Sequence, residues 1–362
     1  MTHKPMLVSI QCLRGIAALL VALTHALKVT SVKLPGQFSA LDGFTDLRGF
    51  GTIGVDIFFV ISGFIMVYVN AEAFGRPRAS LDFVARRVIR ICPLYWLLTG
   101  LLVLLLRFAP HTFDTLTFDT AHVVKSFLFI PTTNSGGEYF PILVAGWTLS
   151  YEMYFYLVFA ILLPSSLRVS LVLTGLLFSL TTLVGYWQPA TGPVSHALFN
   201  PILIEFVFGE CVAYWVLRGH VLAPRAAVML LVPVLAIFIV QVFGGRLAGS
   251  QLLDRGLPAA ALVFAVVCLE RHGRLRFPGW LKRAGDESYS LYLSHGITIA
   301  VLAKLWVAVH PPRWLPADML VLLTMLFATI CARAVYQVLE RPMTVRLNAA
   351  WRDVSPRGHS TR

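Results

Sequence analysis

The sequence predicts an all-α, polytopic integral membrane bundle of about ten transmembrane helices with both termini in the cytoplasm, and three observations carry that expectation. Hydrophobic residues fill 57% of the 362 positions and charged residues only 13%, with a mean hydropathy of +0.75, more apolar side chain than a soluble core of this size can hide. Apolar runs of about 20 residues, enough to cross roughly 30 Å of hydrocarbon, recur from one end to the other. Lysines and arginines are unequally shared between alternate connections, as they are in proteins oriented by the positive-inside rule.

The runs fall in order at about Leu7–Leu27, Thr52–Asn70, Ile91–Ala109, Pro141–Leu163, Val169–Trp187, Phe199–Leu217, Ala227–Phe243, Leu257–Leu269, Tyr289–Val309 and Ala317–Leu339. Arg14 interrupts the first run and nine more follow, so that run reads as a retained helix rather than a cleaved signal. The eighth run is the shortest. With the N-terminus inside, the inner connections carry about 19 of the 30 cations and the outer ones about 7. No polar stretch between runs exceeds about 30 residues and no repeat stands out, so residues 1–345 read as one membrane domain and 346–362 as a short basic cytoplasmic tail.

Several classes are set aside on composition. The net charge of +12 sits mostly on inner loops, where topology and anionic lipid account for it, so nucleic acid is not an expected partner. Cys12, Cys92, Cys211, Cys268 and Cys331 lie in or beside apolar runs, without paired spacing, so neither a disulfide framework nor a metal site is expected.

Polar residues inside the runs carry the functional information, because a charge at mid-membrane costs roughly 2.5–3.5 kcal/mol unless it meets a partner or a cavity. RGIAALLVALTHA spans Arg14–Ala26 and places Arg14 and His25 eleven positions apart. On a helix that is about 20° past three turns, so the two share a face roughly 16 Å apart. They mark two ends of a path; alternatively, Arg14 snorkels inward while His25 caps the outer end. Asp56, in the second run, is placed to orient His25 or to pair with Arg48, and the adjacent Ser62 and Gly63 suit close helix packing. FVARRVIRICPLYW sets Arg86, Arg87 and Arg90 at the inner edge of the third run, followed by Tyr95. They serve either as topology-setting charge or as bidentate donors to phosphate. GWTLSYEMYFYL brings Trp147, Ser150 and Glu152 into the fourth run, and ESYSLYLSHG brings Tyr289 and His295 into the ninth. A carboxylate at that depth needs a partner such as His25, an arginine or a hydroxyl; a lone histidine such as His295 is ordinary helix packing.

With those motifs assembled, the chain resembles the acyltransferase 3 family of integral membrane sugar O-acyltransferases, within it the branch that acetylates exopolysaccharides. The resemblance rests on LRGIAALLVALTH, GVDIFFVISGF, FVARRVIRICPLYW, GWTLSYEMYFYL and SYSLYLSH, in family order over most of the chain. It implies a multi-pass enzyme of the bacterial inner membrane that carries an acyl group, usually acetyl, from cytoplasmic acetyl-CoA to a hydroxyl of an exported polysaccharide or its lipid-linked precursor. Acetyl-CoA is thus the implied donor substrate, with no metal. The family's Arg-x10-His pair maps onto Arg14 and His25, its arginine cluster onto Arg86, Arg87 and Arg90, and its tryptophan-serine-glutamate patch onto Trp147, Ser150 and Glu152. Met153 stands where the common pattern has a second acidic residue, so a role requiring two carboxylates there is not carried over.

Joined to the helical spacing, the resemblance suggests a mechanism in which the nucleotide stays on the inner arginines with Tyr95 beside them. The pantetheine arm then threads past Arg14, and His25 takes the proton of the attacking sugar hydroxyl, with Arg14 and Glu152 as the other catalytic residues. A two-step route through an acyl-His25 intermediate is the alternative. Asp56, Ser62, Ser150, Tyr289 and His295 complete the candidate residues. Rival readings are a transporter or flippase for a lipid-linked saccharide, a polysaccharide polymerase, and a scaffold in an export complex; inverted repeats, the mark of many transporters, are not evident. A homo-oligomer or association with polysaccharide-assembly machinery is compatible with the same sequence.

Overall fold

Each of the ten apolar runs folds as a helix, because in hydrocarbon a backbone amide finds its partner only within its own helix. The computed structural model of the chain describes residues 7–43, 51–76, 78–113, 116–243, 249–309, 312 and 315–354. The helices are α1 (Val8–Lys33), α2 (Ile53–Asn70), α3 (Ala79–Phe108), α4 (Thr120–Phe127), α5 (Gly146–Leu162), α6 (Leu167–Trp187), α7 (Pro193–Leu198), α8 (Leu203–Leu217), α9 (Pro224–Val242), α10 (Leu257–Arg271), α11 (Gly279–Asp286), α12 (Ser288–Val309), α13 (Asp318–Val335) and α14 (Arg341–Val354). Short π-helical turns, Leu252–Gly256 and Tyr336–Glu340, lead into α10 and α14. Among the described residues there is no strand. Nine helical stretches there are long and apolar enough to cross a membrane.

Differences from the expected spans are local. Helix α3 starts at Ala79 instead of near Ile91, so Arg86, Arg87 and Arg90 stand on a helix and not in the loop before it. Helix α5 starts at Gly146 and has only 17 residues. The stretch before it, Pro141–Leu143, is packed inside the protein, where non-helical backbone at membrane depth is tolerated, and Ser126 Oγ accepts the amide of Ile142 at 3.1 Å. Helix α14 runs through residue 346 without a break to Val354, and its Trp351 indole donates to Asp82 of α3 at 2.9 Å.

Burial ranks the helices. Within α2, 72% of the span is buried, against 17% for α6 and α9, so α2 lies at the centre and the other two face lipid. Helix α1 packs on α2, α10, α11, α12 and α13. Its first amides, which have no partner within the helix, are held by Glu270 at the end of α10: Oε1 accepts Val8 N at 2.8 Å and Oε2 accepts Ser9 N at 2.9 Å. A carboxylate at a helix N-terminus also meets the favourable end of its dipole.

The tightest contact is between α2 and α8, where backbones meet through glycines. A β-carbon on Gly63 would lie 2.0 Å from the carbonyl oxygen of Phe206, and one on Gly209 would lie 1.9 Å from that of Val60. Nothing larger than hydrogen fits, which is how small residues let membrane helices associate. Gly63→Val is expected to force the helices apart, at about 1–3 kcal/mol for overpacking, seen as a lower melting temperature in detergent; Ser62→Ala, one position away, should melt close to wild type.

Candidate functional site

Two cavities open along α1, one at each end of its polar face. The first, about 360 Å³, is lined by Arg14, Ser62, Arg86, Arg87, Arg90, Glu152 and Tyr289, with Thr344 and Asn348 of α14 closing one side. The second, about 720 Å³, is lined by His25, Asp56, Trp147, Asn200, Gln251, Arg255 and His295, with exposed Lys28 and Glu138 among its residues. Val55 and Tyr292 line both. Between the cavities the phenol of Tyr292 lies 2.6 Å from the hydroxyl of Thr148, and Phe58 sets its ring against that of Tyr292 at 5.6 Å. Arg14 and His25 therefore share a helix and open into separate chambers with a wall one side chain thick.

The Arg14 chamber is rich in cations. Arg14 donates to Gln11 Oε1 at 3.1 Å, and Gln11 donates to Asp286 Oδ1 at 3.0 Å, which aims the guanidinium. Arg90 is bound to Glu340 and stands over the ring of Tyr289 at 5.3 Å. Arg86 pairs with Asp82 at 2.9 Å on the exposed side, a contact worth little in water. Arg87 lies over the rings of Phe83 and Tyr156 at 5.7 and 5.8 Å, and its buried Nε has no hydrogen-bond partner among the described residues. Glu152 accepts from Ser62 Oγ at 3.2 Å and from the phenol of Tyr156. Four guanidinia set against three carboxylates, Asp82, Glu152 and Glu340, leave a positive surplus suited to a phosphorylated ligand.

The His25 chamber is different in character. His25 and His295 face each other with ring centroids 5.0 Å apart. Nδ1 of His295 lies 2.7 Å from the carbonyl oxygen of Tyr292; only a protonated Nδ1 satisfies that contact, so in the neutral ring Nε2 carries the lone pair. Asp56 accepts from Gln251 Nε2 at 3.1 Å and faces Arg255 at 4.0 Å. Gln251 also reaches Glu205 at 3.4 Å, and Arg255 donates to Thr52 Oγ1 at 2.6 Å. Among the described residues, then, Asp56 is bonded to Gln251 and faces Arg255, and is not bonded to His25; Arg48 lies outside the described residues.

Two residues singled out in the sequence lie elsewhere. Tyr95 lines neither chamber: its ring stacks on Phe129 at 4.6 Å and its hydroxyl donates to the carbonyl of Ser126 at 2.8 Å, a packing role. Ser150 faces a side recess of about 470 Å³ with Tyr139 and His196. Trp147 lines both that recess and the His25 chamber, so the patch is divided in two, Trp147 and Ser150 on one side of the helix and Glu152 on the other. Residues that sequence reasoning missed are Tyr292, Thr148, Tyr156, Glu340, Gln251 and Arg255. Tyr292 was within reach, since it sits one turn before His295 in SYSLYLSH. Glu340 had no signal, because its partner is 250 positions away.

Among the described residues, no group of three or more His, Cys, Asp or Glu is placed to hold a metal ion. The Arg90–Glu340 pair gives a stability prediction. Truncating Arg90 leaves a carboxylate only 1% exposed without its cation, for which buried pairs typically lose roughly 3–5 kcal/mol. Arg90→Ala should therefore melt well below Arg87→Ala, which removes a cation whose Nε has no partner among the described residues; thermal unfolding in one detergent compares them directly.

Comparison with known proteins gives this geometry a context. The model of the acyltransferase 3 family, described as an acyltransferase domain, matches residues 7–333. The chain is 36% identical over 307 residues to the exopolysaccharide production protein ExoZ of Rhizobium meliloti (strain 1021), covering 82% of this chain and 90% of that one. It is 30% identical over 316 residues to the putative membrane-bound transacylase BcsY of Komagataeibacter xylinus, covering 80% of this chain and 72% of that one. No solved structure matches with significance. A family match across both chambers, on a bundle whose helices repeatedly span a membrane, makes this chain a multi-pass, membrane-bound acyltransferase of the acyltransferase 3 family.

Proposed function

We propose that the enzyme transfers an acetyl group from cytoplasmic acetyl-CoA, through the membrane, to a hydroxyl of an exported polysaccharide or its lipid-linked precursor. One observation carries this reading: Arg14 and His25 lie on one helix and line separate chambers that meet at a thin wall. The uneven spread of cations supports a cytoplasmic Arg14 end and an inner-membrane location with both termini inside. The Arg14 chamber then faces the compartment that holds acetyl-CoA. Arg86, Arg87 and Arg90 receive its phosphates, and the slender pantetheine arm runs past Arg14 toward Tyr292. Residues 1–345 form the working domain in this reading, and α14 carries its wall into the segment beyond.

The acceptor enters the larger chamber, where Trp147 offers an aromatic face and Asp56, Asn200 and Gln251 offer hydrogen-bonding groups of the kind that bind sugar hydroxyls. Relatives described as acting in exopolysaccharide production and as a transacylase support a saccharide acceptor. His25 acts as general base: the hydroxyl oxygen attacks the thioester carbonyl, the imidazole takes the proton and then returns it to the departing thiolate. Such catalysis is worth roughly 10²–10⁴ in rate. Glu152, held by Ser62 and Tyr156 on the donor side, orders the chamber through which the arm passes and takes no part in proton transfer at His25.

Inside-out membrane vesicles test the whole reading. With acetyl-labelled acetyl-CoA outside and polysaccharide acceptor in the lumen, wild type should label lumenal sugar. His25→Ala should reduce labelling by at least 100-fold at equal protein level, and Arg14→Ala should lower it chiefly through a higher KM for acetyl-CoA. Undiminished transfer by His25→Ala would remove this residue as the base, and accumulation of an acetylated His25 would replace direct attack by a two-step route.

A further inference from the structure

The dividing wall is itself chemically equipped. We propose that Tyr292 is a catalytic residue whose phenol donates a hydrogen bond to the thioester carbonyl oxygen as it gains negative charge; this deepens the acyl-transfer reading and rests on it. Three observations converge on the residue. A thioester arriving from one chamber meets a hydroxyl arriving from the other only at their junction, and Tyr292 is there, lining both. Its hydroxyl has a proton to give: Thr148 Oγ1 has a second acceptor for its own proton in the carbonyl of Ala145 at 3.1 Å, which leaves the phenol free to donate in the 2.6 Å contact between the hydroxyls. Its position is also tied to the base, because its backbone carbonyl holds Nδ1 of His295 at 2.7 Å, and the ring of His295 stands 5.0 Å from that of His25.

At rest, the phenol bonds to Thr148 and closes the wall. When the arm of the donor reaches the junction, the phenol exchanges Thr148 for the thioester carbonyl oxygen. The hydroxyl oxygen of the sugar then forms a bond to the carbonyl carbon as His25 takes its proton, and the carbonyl π electrons move onto oxygen under the phenol's hydrogen bond. Collapse re-forms the carbonyl, breaks the carbon–sulfur bond and sends the proton from His25 to sulfur, giving ester and free thiol with no other reactant. Tyr292 remains protonated throughout. A donor placed where charge develops, in a site that excludes water, is the most effective form of electrostatic catalysis.

The purified enzyme with acetyl-CoA and a polysaccharide acceptor tests this with Tyr292→Phe and Thr148→Val, both of which lose the resting hydrogen bond while only the first loses the phenol. Tyr292→Phe should lower kcat about 10²–10³-fold, the loss typical of removing one such donor, while its KM for acetyl-CoA and its affinity for CoA stay within threefold of wild type. Thr148→Val should lose no more than about tenfold in kcat, the phenol being intact. Two results overturn the proposal alone: a Tyr292→Phe kcat within threefold of an active wild type, or a Thr148→Val loss equal to that of Tyr292→Phe, which makes the pair a packing contact. A wild-type enzyme that binds CoA but transfers nothing from acetyl-CoA overturns the acyl-transfer reading and this proposal with it.

Discussion

Hydrocarbon offers no hydrogen bonds, so every charge at membrane depth must be housed by the protein itself. Helix α1 carries two such groups, and the bundle is arranged around them. Neighbours α2, α10, α11, α12 and α13 enclose it, yet leave a chamber beside Arg14 and another beside His25. Close glycine packing between α2 and α8 makes the opposite face of α2 solid, so the empty volume gathers on the side where the polar residues are. The same requirement explains the bonds within each chamber: Arg90 is answered by Glu340, and Asp56 by Gln251 and Arg255.

The two chambers differ in charge as well as position. One concentrates guanidinium groups on a helix that extends beyond the apolar run; the other mixes imidazoles, carboxylates and amides around an indole. A ligand with phosphates at one end and a neutral, narrow arm at the other matches the first. A ligand bearing many hydroxyls matches the second. The wall between them is made of Tyr292, Thr148, Val55 and Phe58, so polar contact across it runs through two hydroxyl groups.

Much of this was legible in the amino-acid order. Apolar runs gave every long helix, and the eleven-residue spacing gave the common face of Arg14 and His25. Arg86, Arg87 and Glu152 line the same chamber as Arg14, and Asp56 lines that of His25, where His295 sets its ring against the imidazole. What failed was discrimination among similar side chains. Tyr95 and Tyr292 are both tyrosines in apolar helices, and what separates them lies opposite: a carbonyl of Ser126 for one, a hydroxyl of Thr148 for the other. Periodicity states which face of a helix a residue occupies. It does not state which helix faces it, and Glu340, Gln251 and Arg255 act through partners found only when distant segments pack. Ser150 shows the converse limit, because a motif continuous in sequence is wound around its helix so that Ser150 and Glu152 face different cavities.

The wall formed by α14 has a consequence for how the molecule is made. Synthesis reaches Arg14 long before it reaches Glu340, which neutralises Arg90, and Thr344 and Asn348, which close one side of the chamber. Throughout synthesis the early helices hold cations whose lasting neighbours do not yet exist, and water or lipid headgroups must stand in for them. The chamber beside Arg14 therefore closes only after α14 has been made and packed, so a copy that lacks α14 leaves that side open.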